Sequence, residues 1–86
     1  MEAKLSAKGN KAHDPRYREL IDKLVAARKE KGLSQEALAK ALDRHQQFVS
    51  RYETGERRLD AVEFVDIARE LGVGVDILEA IPDAPK

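Results

Sequence analysis

At 86 residues, with 16 Lys/Arg balanced by 16 Asp/Glu, the chain has room for one domain, and 42% hydrophobic with 37% charged residues suits a small globule with a polar surface. The absence of Cys excludes disulfides and thiolate metal sites, and two His in so short a chain leave few catalytic constellations, so a binding module that is not an enzyme is expected, with no metal and no cofactor. The zero net charge hides a gradient: nine basic residues against five acidic in residues 1–31, five against four in 32–58, and two against seven in 59–86, which reads either as a segregated solvated surface or as one face prepared for a polyanion.

Residues 1–13 carry Lys4, Lys8 and Lys11 with no apolar period and with Gly9 and Asn10 among them. They are expected to form a flexible basic arm that either meets a polyanion or touches nothing. This stretch lacks the apolar run of a signal peptide, and no uncharged run nears the ~18 residues of a membrane span, so no membrane partner is expected. Asp14-Pro15 pairs an N-cap acceptor with a proline at the first helical position, where a missing N–H costs nothing. Tyr17, Leu20, Ile21, Leu24 and Val25 then follow at helical spacing, and Gly32 suits a left-handed stop, so a first helix is expected over about 15–31.

Ser34 caps a short second helix over about 35–42, with Leu33 and Leu38 as a hydrophobic staple and Leu38, Ala39 and Leu42 facing inward. A third helix resumes within a few residues, carrying Phe48, Val49 and Tyr52 on one face, and closes at Thr54-Gly55. So short a break forces a sharp corner, and Asp43 is the residue there that best tolerates a left-handed backbone. Asp60 and Glu63 form a capping box for a fourth helix, stapled by Leu59 and Phe64 and lined by Ala61, Phe64, Val65, Ala68 and Leu71 up to Gly72. A last short helix from Val75 to about Ile81 presents Ile77, Leu78 and Ile81 before Pro82 ends it. The fold class is therefore all-α, with a basic arm (1–13), a five-helix domain (14–82) and a short tail (83–86).

The run QEALAKALDRHQQFVSRYET, from Gln35 to Thr54, resembles a helix-turn-helix of the Cro/repressor type, the XRE family, in a compact lambda-repressor-like domain. The resemblance extends over roughly 17–79 through RKEKGLSQ, ETGERRL and ELGV. Asp43 stands where the family pattern has Gly, and Arg44 where it has an aliphatic residue. Small Ala39 lets the second helix lie close across the third, while Leu38, Leu42, Val49 and Tyr52 fill the angle between them.

The resemblance implies a sequence-specific, repressor-like transcriptional regulator that binds double-stranded DNA from the cytoplasm, in association with the nucleoid. It implies that the third helix enters the major groove with Gln46, Gln47, Ser50 and Arg51 toward base edges and adjacent phosphates. Gln bridging adenine and Arg pairing guanine fit that role. Gln35 resembles the family's phosphate-binding glutamine, Arg44 turns to solvent or a phosphate, and Arg57 and Arg58 lie in a loop that is either solvated or beside the backbone. Matching residues imply an ion pair between Arg28 and Glu53, worth only ~0–1 kcal/mol if exposed. His45 falls at the N-cap of the third helix, and Phe48 is expected in the core or at its edge. With no further segment after the fifth helix, no effector domain and no small-molecule ligand are expected. A homodimer is expected through Val75, Ile77, Leu78 or Ile81, because one half-site offers too few contacts for strong discrimination. The alternative reading is a protein-interaction module, an antitoxin or adaptor, on the same fold.

Overall fold

The computed structural model describes residues 14–84. The whole of the expected basic arm, residues 1–13, and the tail residues 85–86 lie outside them. The described residues form five α-helices and no strand: α1 (Pro15–Glu30), α2 (Gln35–Ala41), α3 (Gln46–Thr54), α4 (Ala61–Leu71) and α5 (Asp76–Glu79). No helix among them is long and apolar enough to cross a membrane.

The helix boundaries follow from the caps. The Asp14 side chain accepts from the Arg16 N–H, Ser34 from the Ala37 N–H, and Asp60 from the Glu63 N–H while Glu63 reciprocates to the Asp60 N–H. Three helices end in the same double hydrogen bond around a left-handed residue, which satisfies carbonyls that would otherwise be orphaned. At the end of α1, Gly32 N–H reaches Lys29 and Leu33 N–H reaches Arg28. At the end of α4, Gly72 and Val73 do the same to Arg69 and Ala68. At the end of α2 the left-handed position is Asp43, at φ 59°, with Asp43 N–H on the Lys40 carbonyl and Arg44 N–H on that of Ala39. An aspartate therefore makes the corner that the family pattern gives to glycine, because its short side chain tolerates the left-handed region.

Helix α1 is the axis of the fold and packs against α3, α4 and α5, while α2 packs against α3. Ile21 and Leu24 of α1, Leu38 and Ala39 of α2, Phe48, Val49 and Tyr52 of α3, Ile67 and Leu71 of α4 and Ile77 of α5 make one buried cluster. The Phe48 and Tyr52 rings meet at a tilt with centroids 5.5 Å apart. The loop between α3 and α4 is docked on α1, where the Leu59 N–H donates to the Tyr17 hydroxyl and the Arg58 guanidinium lies 4.1 Å from the Tyr17 ring centre.

The inward face of α4 differs from the expected one. Ile67 is fully buried, Val65 is 41% exposed and Ala61 is exposed, so the stripe runs Phe64, Ile67, Ala68, Leu71. Both assignments have helical spacing, and docking against α1 selects between them. The last helix is also shorter than expected, with Val75 preceding it and Ile81 following it. Ile67→Ala is accordingly expected to lower stability by about 2–5 kcal/mol. Val65→Ala is expected to change it by no more than about 0.5 kcal/mol. Urea denaturation of the two variants checks this ordering.

Candidate nucleic-acid interface

Three helices meet at one buried ion pair. Arg28 of α1 donates through Nε to Glu53 Oε2 at 2.7 Å and through Nη2 to Oε1 at 3.1 Å. The residues are only 7% and 8% exposed, so the small energy of an exposed pair does not apply. The hydrogen bonds to Glu53 hold the Arg28 pKa above its ordinary value. The third branch of the guanidinium, Nη1, donates to the Leu33 carbonyl at 2.7 Å and so fixes the α1–α2 linker. From nearer the start of α1, Arg18 Nη2 donates to the Glu53 backbone carbonyl at 2.8 Å, closing the end of α3.

The pair continues outward as a row of amides. Gln35, the first residue of α2, donates through Nε2 to Glu53 Oε1 at 2.8 Å. Gln46, the first residue of α3, donates through Nε2 to Gln35 Oε1 at 3.1 Å. Charge buried between α1 and α3 thereby sets the orientation of two glutamine amides, the outer one on an exposed residue. Beyond them, Gln47 and Arg51 are exposed and Ser50 is half-buried. The opposite face of α3 sends Phe48, Val49, Tyr52 and Glu53 into the protein. Gln46, Gln47, Ser50 and Arg51 therefore share the outer side of the helix. Arg51 has only a 4.0 Å approach to Glu56. His45 occupies the N-cap position but makes no side-chain capping bond.

The flanking arginines are more engaged than loop cations read from sequence. Arg57 donates through Nη1 and Nη2 to the two oxygens of Glu63 at 2.8 Å each. Arg44 lies with its guanidinium 3.8 Å from the Phe48 ring centre and reaches Glu63 at 3.4 Å. Arg58 lies over Tyr17 rather than over α3. Hydrogen bonds from Arg57, reinforced by the Asp60 N–H, lower the Glu63 pKa to about 2, so this carboxylate is ionised in any neutral buffer. Glu63 had been legible only as half of a capping box. Its tie to Arg44 and Arg57 had no local signal, because Arg44 is nineteen residues away.

Residues 24–78 match the helix-turn-helix family model, more than half of the chain. The fold matches a solved structure described as an XRE-family like protein from Pseudomonas syringae pv. tomato str. DC3000, with a TM-score of 0.78 and 40% sequence identity, over 88% of this chain and 93% of that one. The chain belongs to the XRE-type helix-turn-helix family. No match is found among the curated proteins. In helix-turn-helix terms α2 and α3 are the motif, and the protein is of a DNA-binding regulator type. The XRE-type fold here rests on the Arg28–Glu53 pair for the pose of its motif. Glu53→Ala leaves a guanidinium buried without its partner and is expected to cost about 3–5 kcal/mol of stability. Chemical denaturation measures it, and replacing both partners together by Leu is expected to cost less than the single change.

Proposed function

We propose that this protein is a sequence-specific transcriptional regulator of repressor-like action that docks α3 in the major groove of DNA. Gln46, Gln47, Ser50 and Arg51 meet base edges and neighbouring phosphates, and Gln35 takes a phosphate at the start of α2. As contacts to the flanking DNA backbone we assign Arg44, Arg57 and Arg58, of which Arg44 and Arg57 reach a phosphate only by sharing or leaving Glu63. The observation that carries this reading is the row from Arg28 through Glu53 and Gln35 to Gln46. Holding an exposed glutamine amide in one rotamer costs side-chain entropy and adds little to folding. It is useful when a partner meets that amide already oriented.

Selection of DNA fragments from a random pool by the purified protein tests the reading, since one enriched motif is expected. On that motif, Gln47→Ala is expected to weaken binding by about 1–3 kcal/mol while random duplex binding and the melting temperature stay nearly unchanged. Equal loss on both DNAs removes Gln47 from base reading. Absence of binding to any duplex at low salt leaves the protein-interaction module, the reading favoured by the exposed Val62 and Val65 on α4.

A homodimer completes the reading by joining two half-sites. Val75 and Leu78, 70% and 52% exposed, support an apolar contact at α5, whereas Ile77 belongs to the monomer core. Leu78→Glu is expected to shift sedimentation from dimer to monomer and to weaken binding to a full palindrome far more than to a half-site.

A further inference from the structure

We propose that Glu63 is a specificity-determining residue, which withholds Arg57 and Arg44 from the DNA phosphates and so keeps sequence-independent binding weak. The inference rests on the DNA-binding reading and adds to it a residue that touches no base.

Arg44 lies in the turn before α3 and Arg57 in the loop after it, so two cations flank the helix. Both turn to one carboxylate. The two parallel N–H···O bonds from Arg57 to Glu63 have the fork geometry with which a guanidinium clasps a phosphate. Arg57 Nη1 also donates to the Arg58 carbonyl at 3.1 Å, so little donor capacity is left on that edge. Phe48 lies beneath the pair, with the Arg44 and Arg57 guanidiniums 3.8 Å and 5.1 Å from its ring centre, which keeps both cations close to α3. The Glu63 carboxylate is largely covered while both arginine side chains are partly exposed. A phosphate approaching Arg57 therefore competes with an anion that is already in place.

The helix cap does not demand this charge. Residue 63 completes the box by accepting from the Asp60 N–H at 3.1 Å, and a glutamine carbonyl accepts as well as a carboxylate. What the negative charge adds is the hold on two arginines. An arginine already neutralised displaces no counterions from DNA and gives no salt-dependent, sequence-blind affinity. Discrimination then depends on the side chains of α3.

The test is Glu63→Gln, which keeps the cap acceptor and removes the charge, measured on a random-sequence duplex over a range of salt. Affinity at low salt is expected to rise several-fold. The slope of log K against log salt is expected to steepen by about 0.9 for each arginine released. The ratio of selected to random binding is expected to fall. Adding Arg57→Gln to Glu63→Gln is expected to take back about 0.9 of that slope, which a purely structural role of Glu63 would not do. Glu70→Gln, an equal change in net charge farther along α4, sets the baseline. An unchanged slope in a variant with native helical content overturns the proposal, as does a steepening no larger than that of Glu70→Gln. If Glu63→Gln lowers helical content, Glu63→Ala takes its place, because the Asp60 carboxylate still caps the residue 63 N–H. Salt elution from heparin reads the same release without any cognate site: later elution of Glu63→Gln than of Glu70→Gln supports the proposal, and co-elution overturns it. Failure of the wild type to prefer any selected sequence is a separate result, which rejects the functional reading alone.

Discussion

The pose of the helix-turn-helix depends on the Arg28–Glu53 pair, because it is the point where α1, the α1–α2 linker, α2 and α3 share hydrogen bonds. A buried ion pair is a weak source of net stability, since two desolvated charges offset most of their attraction. Its strength is directional. The guanidinium fork meets both oxygens of Glu53 and the Leu33 carbonyl in one plane, and rotation of α3 about its own axis would break at least two of those bonds. Apolar packing in the cluster that holds Leu24, Leu38, Val49 and Tyr52 supplies the cohesion but tolerates some sliding. The charged pair removes that tolerance and passes the orientation to Gln35 and Gln46.

Arginine carries three distinct tasks in this small fold. Arg28 organises the interior, Arg18 closes the end of α3 on the Glu53 carbonyl, and Arg44 and Arg57 bracket Phe48 against Glu63. A tally of charges along the chain counts all of these as cationic surface. The charge presented outward near α3 is smaller than the gradient from residues 1–58 to 59–86 indicates, because several cations are spent on internal carboxylates and carbonyls. Zero net charge and a nucleic-acid partner are compatible on those terms: long-range attraction is modest, and contact depends on short-range geometry.

Local chemistry was legible almost throughout. Asp14, Ser34 and Asp60 are caps because a short oxygen-bearing side chain satisfies N–H groups two or three residues ahead. Gly32, Gly55 and Gly72 stop helices because they enter the left-handed region without a Cβ. Even Asp43 was readable, since the corner requires a left-handed residue and few others nearby tolerate one. The face of α4 was not, because Phe64, Val65, Ile67, Ala68 and Leu71 admit two overlapping stripes of equal periodicity. Choosing Ile67 over Val65 required knowing the angle at which α4 meets α1.

The sequence by itself determined the five helices, the caps and stops of the first four, and the corner at Asp43, all set by interactions spanning a few residues. The family resemblance also pointed to Arg28 and Glu53 as partners. Tertiary structure alone decided that this pair is buried and continues through Gln35 to Gln46. It alone decided that Arg44 and Arg57 share Glu63, and which residues of α4 face the core. The reason is physical: periodicity and capping act within about one or two turns, whereas the desolvation and hydrogen-bonding of a charge depend on which distant helices close over it.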